Sequence, residues 1–156
     1  MGWHPMGGVA WEGEFEAGRR VGEWRIQHAD GGLALQGTFV VDAREGPWRS
    51  WYAGGGLASE VHWSAGERVG SERQWYRSGL LKLEGSWLAG AREGVWAEYH
   101  RSGRVASQGE YQGGLRTGAW KLWYQDGELW AEGVVVDGLL EGWWVHWWQN
   151  GVKRAE

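Results

Sequence analysis

The chain has 156 residues, with 16 Lys and Arg against 20 Asp and Glu and a formal net charge of −4. This balance provides no overall basic surface, so we expect no nucleic-acid partner and no electrostatic attachment to an anionic membrane. The absence of cysteine excludes disulfides and thiolate zinc sites. No apolar leader follows Met1 and no run is long enough to span a membrane, which predicts a cytoplasmic location.

A 24-residue repeat, called the tile below, runs through the chain, which contains 16 Trp and 29 Gly. Residues 3–21 fit the second half of a tile, and the last tile stops at Glu156 before its period is complete. We therefore predict one repeat array over residues 1–156, either a segment of a longer array or an array whose ends meet something else. A glycine opens each following tile, with no insertion or deletion between them: Gly22, Gly46, Gly70, Gly94, Gly118 and Gly142.

Each tile contains two short segments with the period-two pattern of β-strands. The residues just after the opening glycine are rich in aromatics, as in Trp48–Tyr52, and a later segment alternates, as in Leu81–Trp87. Turn signals such as Asp126-Gly127 separate the two segments and indicate a hairpin. We predict an all-β fold of tandem 24-residue β-hairpin repeats that form an elongated, twisted, single-layer antiparallel meander.

The register of the hairpin depends on the length of its loop. A four-residue loop places Arg49 opposite Glu60 and Lys121 opposite Glu132, and we favour it for that charge pairing. The same register sets each Trp that follows an opening glycine over a glycine of the partner strand, as in Trp24 over Gly37, Trp96 over Gly109 and Trp120 over Gly133. It also places Tyr52 opposite Leu57 and Tyr124 opposite Leu129. A three-residue loop would shift every pair by one residue.

A single-layer sheet has no second layer to bury against, so its stability must come from aromatic side chains that stack from tile to tile. This requirement explains the tryptophan content without any ligand.

The tile pattern GxWxxWYxxGxLxxEGxWxxGxREG, written with small departures in 46–70 and 94–118, resembles the MORN-repeat variant, and most of all the version found in the YwqK family of bacterial antitoxins. The resemblance extends from Trp3 to Glu156. It implies a scaffold, a lipid-headgroup binder or a partner that neutralises a toxin, and no catalytic residue belongs to the pattern. Four positions depart from it: Gln27 in the second aromatic slot, Asp42 in place of the linker glycine, Glu72 in place of Trp, and Lys153 in the leucine slot.

Histidines and glutamates are the candidates for metal binding and acid–base chemistry. His4, His28 and His100 share the slot that tyrosine occupies in other tiles, and no His pair has the spacing of metal ligands. Because the glutamates recur once per tile, a cross-strand structural role explains them better than catalysis. We expect no enzymatic activity, no metal and no cofactor. The glutamates in question are Glu12, Glu60, Glu84, Glu132 and Glu156.

The informative features break the period near the C-terminus. The last tile doubles its aromatic load, and apolar residues replace the polar linker that precedes it, giving more apolar surface than tile stacking needs. We predict a partner-binding or self-association site there, against the alternative of a hydrophobic cap that folds back on the sheet. The candidate residues are Leu139, Leu140, Trp143, Trp144, Trp147 and Trp148.

These patterns favour a non-catalytic protein-interaction module, with an antitoxin or immunity-type protein as its most specific form. A toxin-like protein partner is expected, and the slight acidity of the chain would suit a basic one. A homodimer closed through the C-terminal tile is the second prediction for partners. The alternatives are a binder of lipid headgroups or carbohydrate through tryptophan platforms, although membrane contact is not expected, and a self-assembling scaffold.

Overall fold

The structure is a computed structural model that describes residues 1–3 and 8–155, with the side chain of residue 155 left out. His4 and Glu156, named above for the tyrosine slot and the glutamate series, lie outside the described residues. The described residues form no helix, and hence none that could cross a membrane. The fourteen strands are β1 (Gly2–Trp3), β2 (Val9–Glu16), β3 (Arg19–Gln27), β4 (Leu33–Val40), β5 (Ala43–Trp51), β6 (Leu57–Ser64), β7 (Glu67–Trp75), β8 (Leu81–Leu88), β9 (Ala91–Tyr99), β10 (Val105–Gln112), β11 (Leu115–Trp123), β12 (Leu129–Val136), β13 (Leu139–Trp147) and β14 (Lys153–Ala155).

The chain divides into two compact units, Met1–Gly79 and Leu80–Glu156. In the first unit, β1 to β7 pair antiparallel in chain order, and in the second unit β8 to β14 do the same. The prediction of an all-β antiparallel meander built from hairpins is therefore confirmed. The 24-residue period continues through the boundary between the units.

The first strand of each tile begins three residues before the opening glycine, earlier than the pattern suggested. In β5, for example, the strand starts at Ala43 and the opening Gly46 lies inside it at a φ of 67°. The pairing with β4 shifts there, between Gln36 and Thr38, which marks a β-bulge. The opening glycine is thus a bulge residue that supplies the left-handed conformation, rather than a boundary between strands.

Successive hairpins are joined by two-residue turns in which both residues have positive φ. At Ala65-Gly66, between β6 and β7, φ is 48° and 85°, the geometry of a type I′ turn whose twist matches that of the flanking strands. At the equivalent position Val41-Asp42, the Asp42 carboxylate accepts hydrogen bonds from the backbone N and the Nε of Arg20 at 3.0 Å. These bonds hold the pKa of Asp42 below its usual range. Asp42 can therefore replace the linker glycine because it gains a partner on the preceding tile.

The register of the four-residue loop is confirmed along most of each hairpin. Arg49 lies opposite Glu60, and Lys121 lies opposite Glu132. Near the loop the register shifts by one residue, so that Trp51, not Tyr52, pairs with Leu57. Tyr124 is likewise displaced, since Trp123 pairs with Leu129. The predicted tyrosine–leucine pairs were wrong because a bulge just after the loop absorbs one residue.

Each tile tryptophan covers a glycine, but not the one that the register suggested. The backbone of Trp24 does face Gly37 in β4, yet its indole lies on Gly13 in β2. In the same way, Trp48 lies on Gly37 and Trp120 on Gly109, and a Cβ at either glycine would overlap the indole. The side chain leans across the bulge towards the preceding tile, so each Trp–Gly contact joins two tiles instead of two strands of one hairpin.

These contacts build an aromatic ladder along one side of each unit. In the first unit Trp24, Phe39 and Trp48 form the buried cluster, with Phe39 meeting the indole of Trp48 edge-on at 4.8 Å. In the second unit the cluster is larger, and Tyr111 meets Trp120 edge-on at 5.4 Å. Its members are Leu83, Trp96, Tyr111, Trp120 and Val135. The prediction that aromatic stacking from tile to tile supplies the core is confirmed within each unit.

At one junction between two tiles, both members of the Trp–Gly contact are replaced. Val61 stands where other tiles have the covered glycine, and Glu72 stands where they have the covering tryptophan; the two are paired across β6 and β7. Glu72 is only 5% exposed. It accepts a hydrogen bond from Gln74 Nε2 at 2.7 Å and lies 3.6 Å from Arg68.

The slot shared by tyrosine and histidine joins each tile to the next. Tyr52 Oη donates to the backbone carbonyl of Trp75 at 2.7 Å, and Tyr124 Oη to that of Trp147 at 2.9 Å. His28 and His100 place Nε2 at 2.9 Å from the equivalent carbonyls of the following tiles. The interpretation of these histidines as substitutes for tyrosine is confirmed, since they reproduce its hydrogen bond.

Candidate functional site

The two sides of the sheet in each unit differ in chemistry. We call the side that carries the tryptophan–glycine contacts the aromatic face, and the opposite side the polar face. Alternation along each strand assigns every residue to one or the other. Arg49, Glu60 and Lys121, for example, project from the polar face, next to tryptophans that project from the aromatic one.

On the polar face, three cations form ion pairs with carboxylates. Arg49 Nε lies 2.5 Å from Glu60, and Lys121 Nζ lies 3.3 Å from Glu132. Arg25 pairs with Glu23 at 2.8 Å. Hydrogen bonds from Gln36 and from Arg25 lower the pKa of Glu23. Glu60 and Glu132 thus pair with cations of the neighbouring strand, as the sequence indicated for the tile glutamates.

The aromatic face carries a row of arginines that repeats every 24 residues and that our sequence analysis missed. Their guanidinium groups lie over the rings of the ladder: the Cζ of Arg44 is 4.4 Å from the Trp48 ring, and that of Arg92 is 4.3 Å from the Trp96 ring. The signal was present in the sequence as one arginine two residues before each opening glycine except Gly142. The arginine row consists of Arg20, Arg44, Arg68, Arg92 and Arg116.

The predicted C-terminal residues separate into an exposed and a half-buried group. Trp144 lies on Gly133 and donates from Nε1 to the carbonyl of Val134 at 3.1 Å, which is the ordinary role of a tile tryptophan. Trp147 is half-buried, and its carbonyl accepts the bond from Tyr124. The exposed members are Trp143 at 78%, Leu139 at 73%, Leu140 at 69% and Trp148 at 49%.

The exposed residues are not all on the same side. Leu139 and Trp143 belong to the polar face, where they join Val134 and Val136. Leu140 projects from the aromatic face, where it takes the place of the arginine of the row, and Arg154 lies over the Trp148 ring. We use the term apolar patch for Val134, Val136, Leu139 and Trp143 on β12 and β13. The two valines were noted in the sequence as replacing a polar linker, but their common face with Trp143 becomes clear only from the pairing.

Shallow depressions lie on the polar face above the tile glycines. The one at Gly109 in the second unit has a volume of about 230 Å³ and the one at Gly37 in the first about 180 Å³. Ordinary small-molecule pockets are larger, at about 300–1,000 Å³. No group of three or more His, Asp or Glu that could hold a metal ion occurs within residues 1–3 and 8–155. The geometry therefore favours recognition by extended surfaces.

Comparison with known protein families identifies three of the tiles. Residues 44–65, 92–112 and 116–137 match the MORN repeat variant, and together they make up less than half of the chain. Each matched segment begins at an arginine of the row and ends at or next to the two-residue turn that closes the tile. Comparison with curated proteins gives no match.

Proposed function

We propose that this chain, in which three tiles match the MORN repeat variant, is a non-catalytic module that binds a protein partner through the apolar patch. Repeats of this kind generally act as protein- or lipid-binding modules. The observation that carries the proposal is the exposure of Trp143 and Leu139 beside Val134 and Val136.

The chemistry of the patch suits a protein surface. Tryptophan is a favoured anchor in protein interfaces because it buries a large area at a small cost in side-chain entropy. The equivalent slots of other tiles hold smaller or polar residues, such as Glu23, Ser71 and Ala119. Because the other tiles form their strands without a tryptophan in that slot, Trp143 is surplus to the fold and available to a partner.

The more specific form of the proposal is that the partner is a toxin-like protein which the module neutralises. This step is supported by the resemblance of the tile pattern to the YwqK antitoxins and by no feature of the structure. Self-association through the same patch is the competing form.

The test compares two variants that each remove one exposed indole. Trp143→Ser removes the anchor of the patch, and Trp3→Ser removes an indole that is 67% exposed on β1 and distant in the sequence. Sedimentation velocity of the purified proteins measures self-association. Affinity capture from the source cell, followed by mixing of the purified captured protein with each variant, measures hetero-association.

We expect Trp143→Ser to weaken association at least tenfold and Trp3→Ser to leave it unchanged, with identical circular dichroism for both. Tenfold corresponds to about 1.4 kcal/mol, within the range of a tryptophan anchor. Equal binding by wild type and Trp143→Ser would contradict the proposal. Binding to carbohydrate or to phospholipid vesicles that depends on Trp143, without a protein partner, would favour the second class of ligand.

A further inference from the structure

Three of the five arginines of the arginine row lie apart from any carboxylate in the described part of the chain. Arg20 pairs with Asp42 at 3.0 Å and Arg68 lies 3.6 Å from Glu72. Arg44, Arg92 and Arg116 have no carboxylate within ion-pair distance in the described part of the chain. Three cations are thus left uncompensated on the aromatic face of a protein whose net charge is negative.

The guanidinium groups are held in place by the rings beneath them. Arg44 lies 4.4 Å from the Trp48 ring and 4.8 Å from the Trp63 ring. Arg116 lies 4.4 Å from the Trp120 ring, and its Nε donates to Tyr111 Oη at 3.2 Å. Stacking on a ring engages the flat side of the group and leaves donors at its edge for an acceptor. The groups are therefore oriented before any partner binds.

Neighbouring members of the row also repel one another. Burial lowers the pKa of Arg44, and the charges of Arg20 and Arg68 lower it further. The charges that the fold leaves without a carboxylate, at Arg44, Arg92 and Arg116, are relieved by an anionic partner that lies along the row. The polar face shows that the same tile can place carboxylates beside cations, as at Arg49 and Lys121. On the aromatic face, such compensation is missing at three of the five arginines of the row.

The spacing of the row matches an extended polypeptide. Consecutive arginines in one unit are two strands apart, a distance of about 9.6 Å at the usual strand separation. Three residues of a polyproline II chain rise about 9.3 Å. A chain that crosses the strands along the row can therefore present one carboxylate to each arginine if its acidic residues occur at every third position, and arginine binds carboxylates with two parallel hydrogen bonds.

We infer that the part of the arginine row within each unit is a docking surface for an extended acidic peptide segment whose Asp or Glu side chains recur at every third residue. In the second unit this surface lies on the face opposite the apolar patch, and it does not depend on the proposed role of that patch. The partner's local charge is the reverse of the basic partner that the net charge of the chain suggested.

The test uses two synthetic 16-residue peptides of identical composition. The first carries glutamate at every third position with proline between, and the second carries the same glutamates in one block. Binding of each fluorescently labelled peptide is followed by anisotropy at ionic strengths of about 0.05 and 0.3 M. We expect the first peptide to bind at least threefold more tightly than the second, and binding of both to weaken at the higher salt.

Two double variants remove the same number of charges from opposite faces. Arg44→Gln with Arg116→Gln takes one arginine of the row from each unit. Arg49→Gln with Lys121→Gln takes one polar-face cation from each unit and serves as the control. Both variants have the same net charge, so any difference in peptide affinity between them shows which face the peptide contacts. We expect the first to weaken binding of the every-third peptide about tenfold and the second less than twofold.

If the double variant unfolds, the test is repeated at one exposed position with the single variant Arg116→Gln. Lys121→Gln is its control. Equal binding of the two peptides, equal weakening by the two faces, or no binding by wild type would each overturn the inference. Vesicles that contain phosphatidylserine provide a further arm. If the vesicles bind through Arg44 and Arg116 and the every-third peptide does not bind, the row binds a lipid surface and the inference is wrong.

Discussion

Two pairs of adjacent strands in the first unit exclude water from the junction between two tiles with different residues. Between β4 and β5, the indole of Trp48 lies on the bare backbone of Gly37. Between β6 and β7, Val61 fills the space of the glycine and Glu72 replaces the indole. Trp48 is 3% exposed and Glu72 is 5% exposed, so both arrangements exclude water.

The comparison shows that the covered glycine and the covering tryptophan are one structural element. A glycine is required only where an indole must lie against the backbone, and a β-branched residue is accepted where the indole is absent. The two positions belong to different tiles, so a change in one tile requires a change in the next. A tile is therefore not an independent unit of substitution, although it is the unit of repetition.

Among the variants that test this comparison, those that remove an indole should lower stability the most. We expect Trp96→Ala to lower the free energy of unfolding by about 3–5 kcal/mol, because it opens a cavity in the core of the second unit. Glu72→Ala should cost less, about 1–3 kcal/mol, since it removes one hydrogen-bonded carboxylate. Urea unfolding followed by tryptophan fluorescence measures both, and equal costs would contradict the account.

Filling the space of a covered glycine should have the next largest effect. We expect Gly109→Val to destabilise by about 2–3 kcal/mol, because the new Cβ overlaps the rigid indole of Trp120. Gly56→Val is the matched control, since a Cβ there meets open space and the residue is not in the left-handed region. Its effect on the urea midpoint should be below about 1 kcal/mol.

Transferring the alternative arrangement tests whether the two positions act together. The double variant Gly37→Val with Trp48→Glu recreates the Val61–Glu72 combination one tile earlier. We expect it to be more stable than the sum of the single variants predicts, by about 0.5–3 kcal/mol, because each change removes the conflict that the other creates. Strict additivity in the double-mutant cycle would show that the positions are independent.

The reverse exchange should be mildly stabilising. Val61→Gly with Glu72→Trp extends the aromatic ladder through β6 and β7, and we expect a gain of about 1 kcal/mol from the added apolar burial. Thermal unfolding measures the gain as a higher Tm. A lower Tm, with the strand content unchanged in circular dichroism, would show that the buried Glu72 contributes more than the indole it replaces.

Breaking an ion pair on the polar face should have the smallest effect on stability, and it provides the baseline for the other variants. We expect Lys121→Ala to change the free energy of unfolding by less than about 1 kcal/mol, since its 3.3 Å contact with Glu132 is more than one-third exposed on both sides and is screened by salt. Adding about 1 M salt should abolish that difference. A larger loss would mean that the polar face contributes to the core.

Much of the fold could be read from the sequence because the repeat supplies six copies of each pattern. Charge pairs such as Arg49 and Glu60 fixed the hairpin register, and turn glycines fixed the loops. The direction in which each indole leans could not be read, because it depends on a bulge at the opening glycine. The one-residue shift at Trp51 and Leu57 could not be read either, because a bulge changes the pairing of the strands without changing the 24-residue period of the sequence.

The candidate site was predictable only where it breaks the period. Trp143 stands out because no other tile has an aromatic residue in its slot, and the structure leaves both Trp143 and Leu139 exposed. Trp144 and Trp147 were included with them although they occupy ordinary tile slots, which the sequence could have shown. The arginine row was overlooked for the opposite reason. It follows the period, and the lack of carboxylates beside Arg44, Arg92 and Arg116 depends on which residues share the aromatic face rather than on the order of residues.

The bond from the tyrosine or histidine slot to the next tile has a consequence for how the chain is made. Each such bond joins residues 23 apart, as at Tyr52 and Trp75. No tile needs to wait for a distant segment, so loop closure is inexpensive and folding can follow synthesis. A ribosome that adds about 5–20 residues per second delivers the partner of each tile within about 1–5 s. Nascent chains stalled at increasing lengths should therefore gain protease resistance in steps of one tile. Because each tile folds soon after it is synthesised, little apolar surface is exposed while the protein is being made.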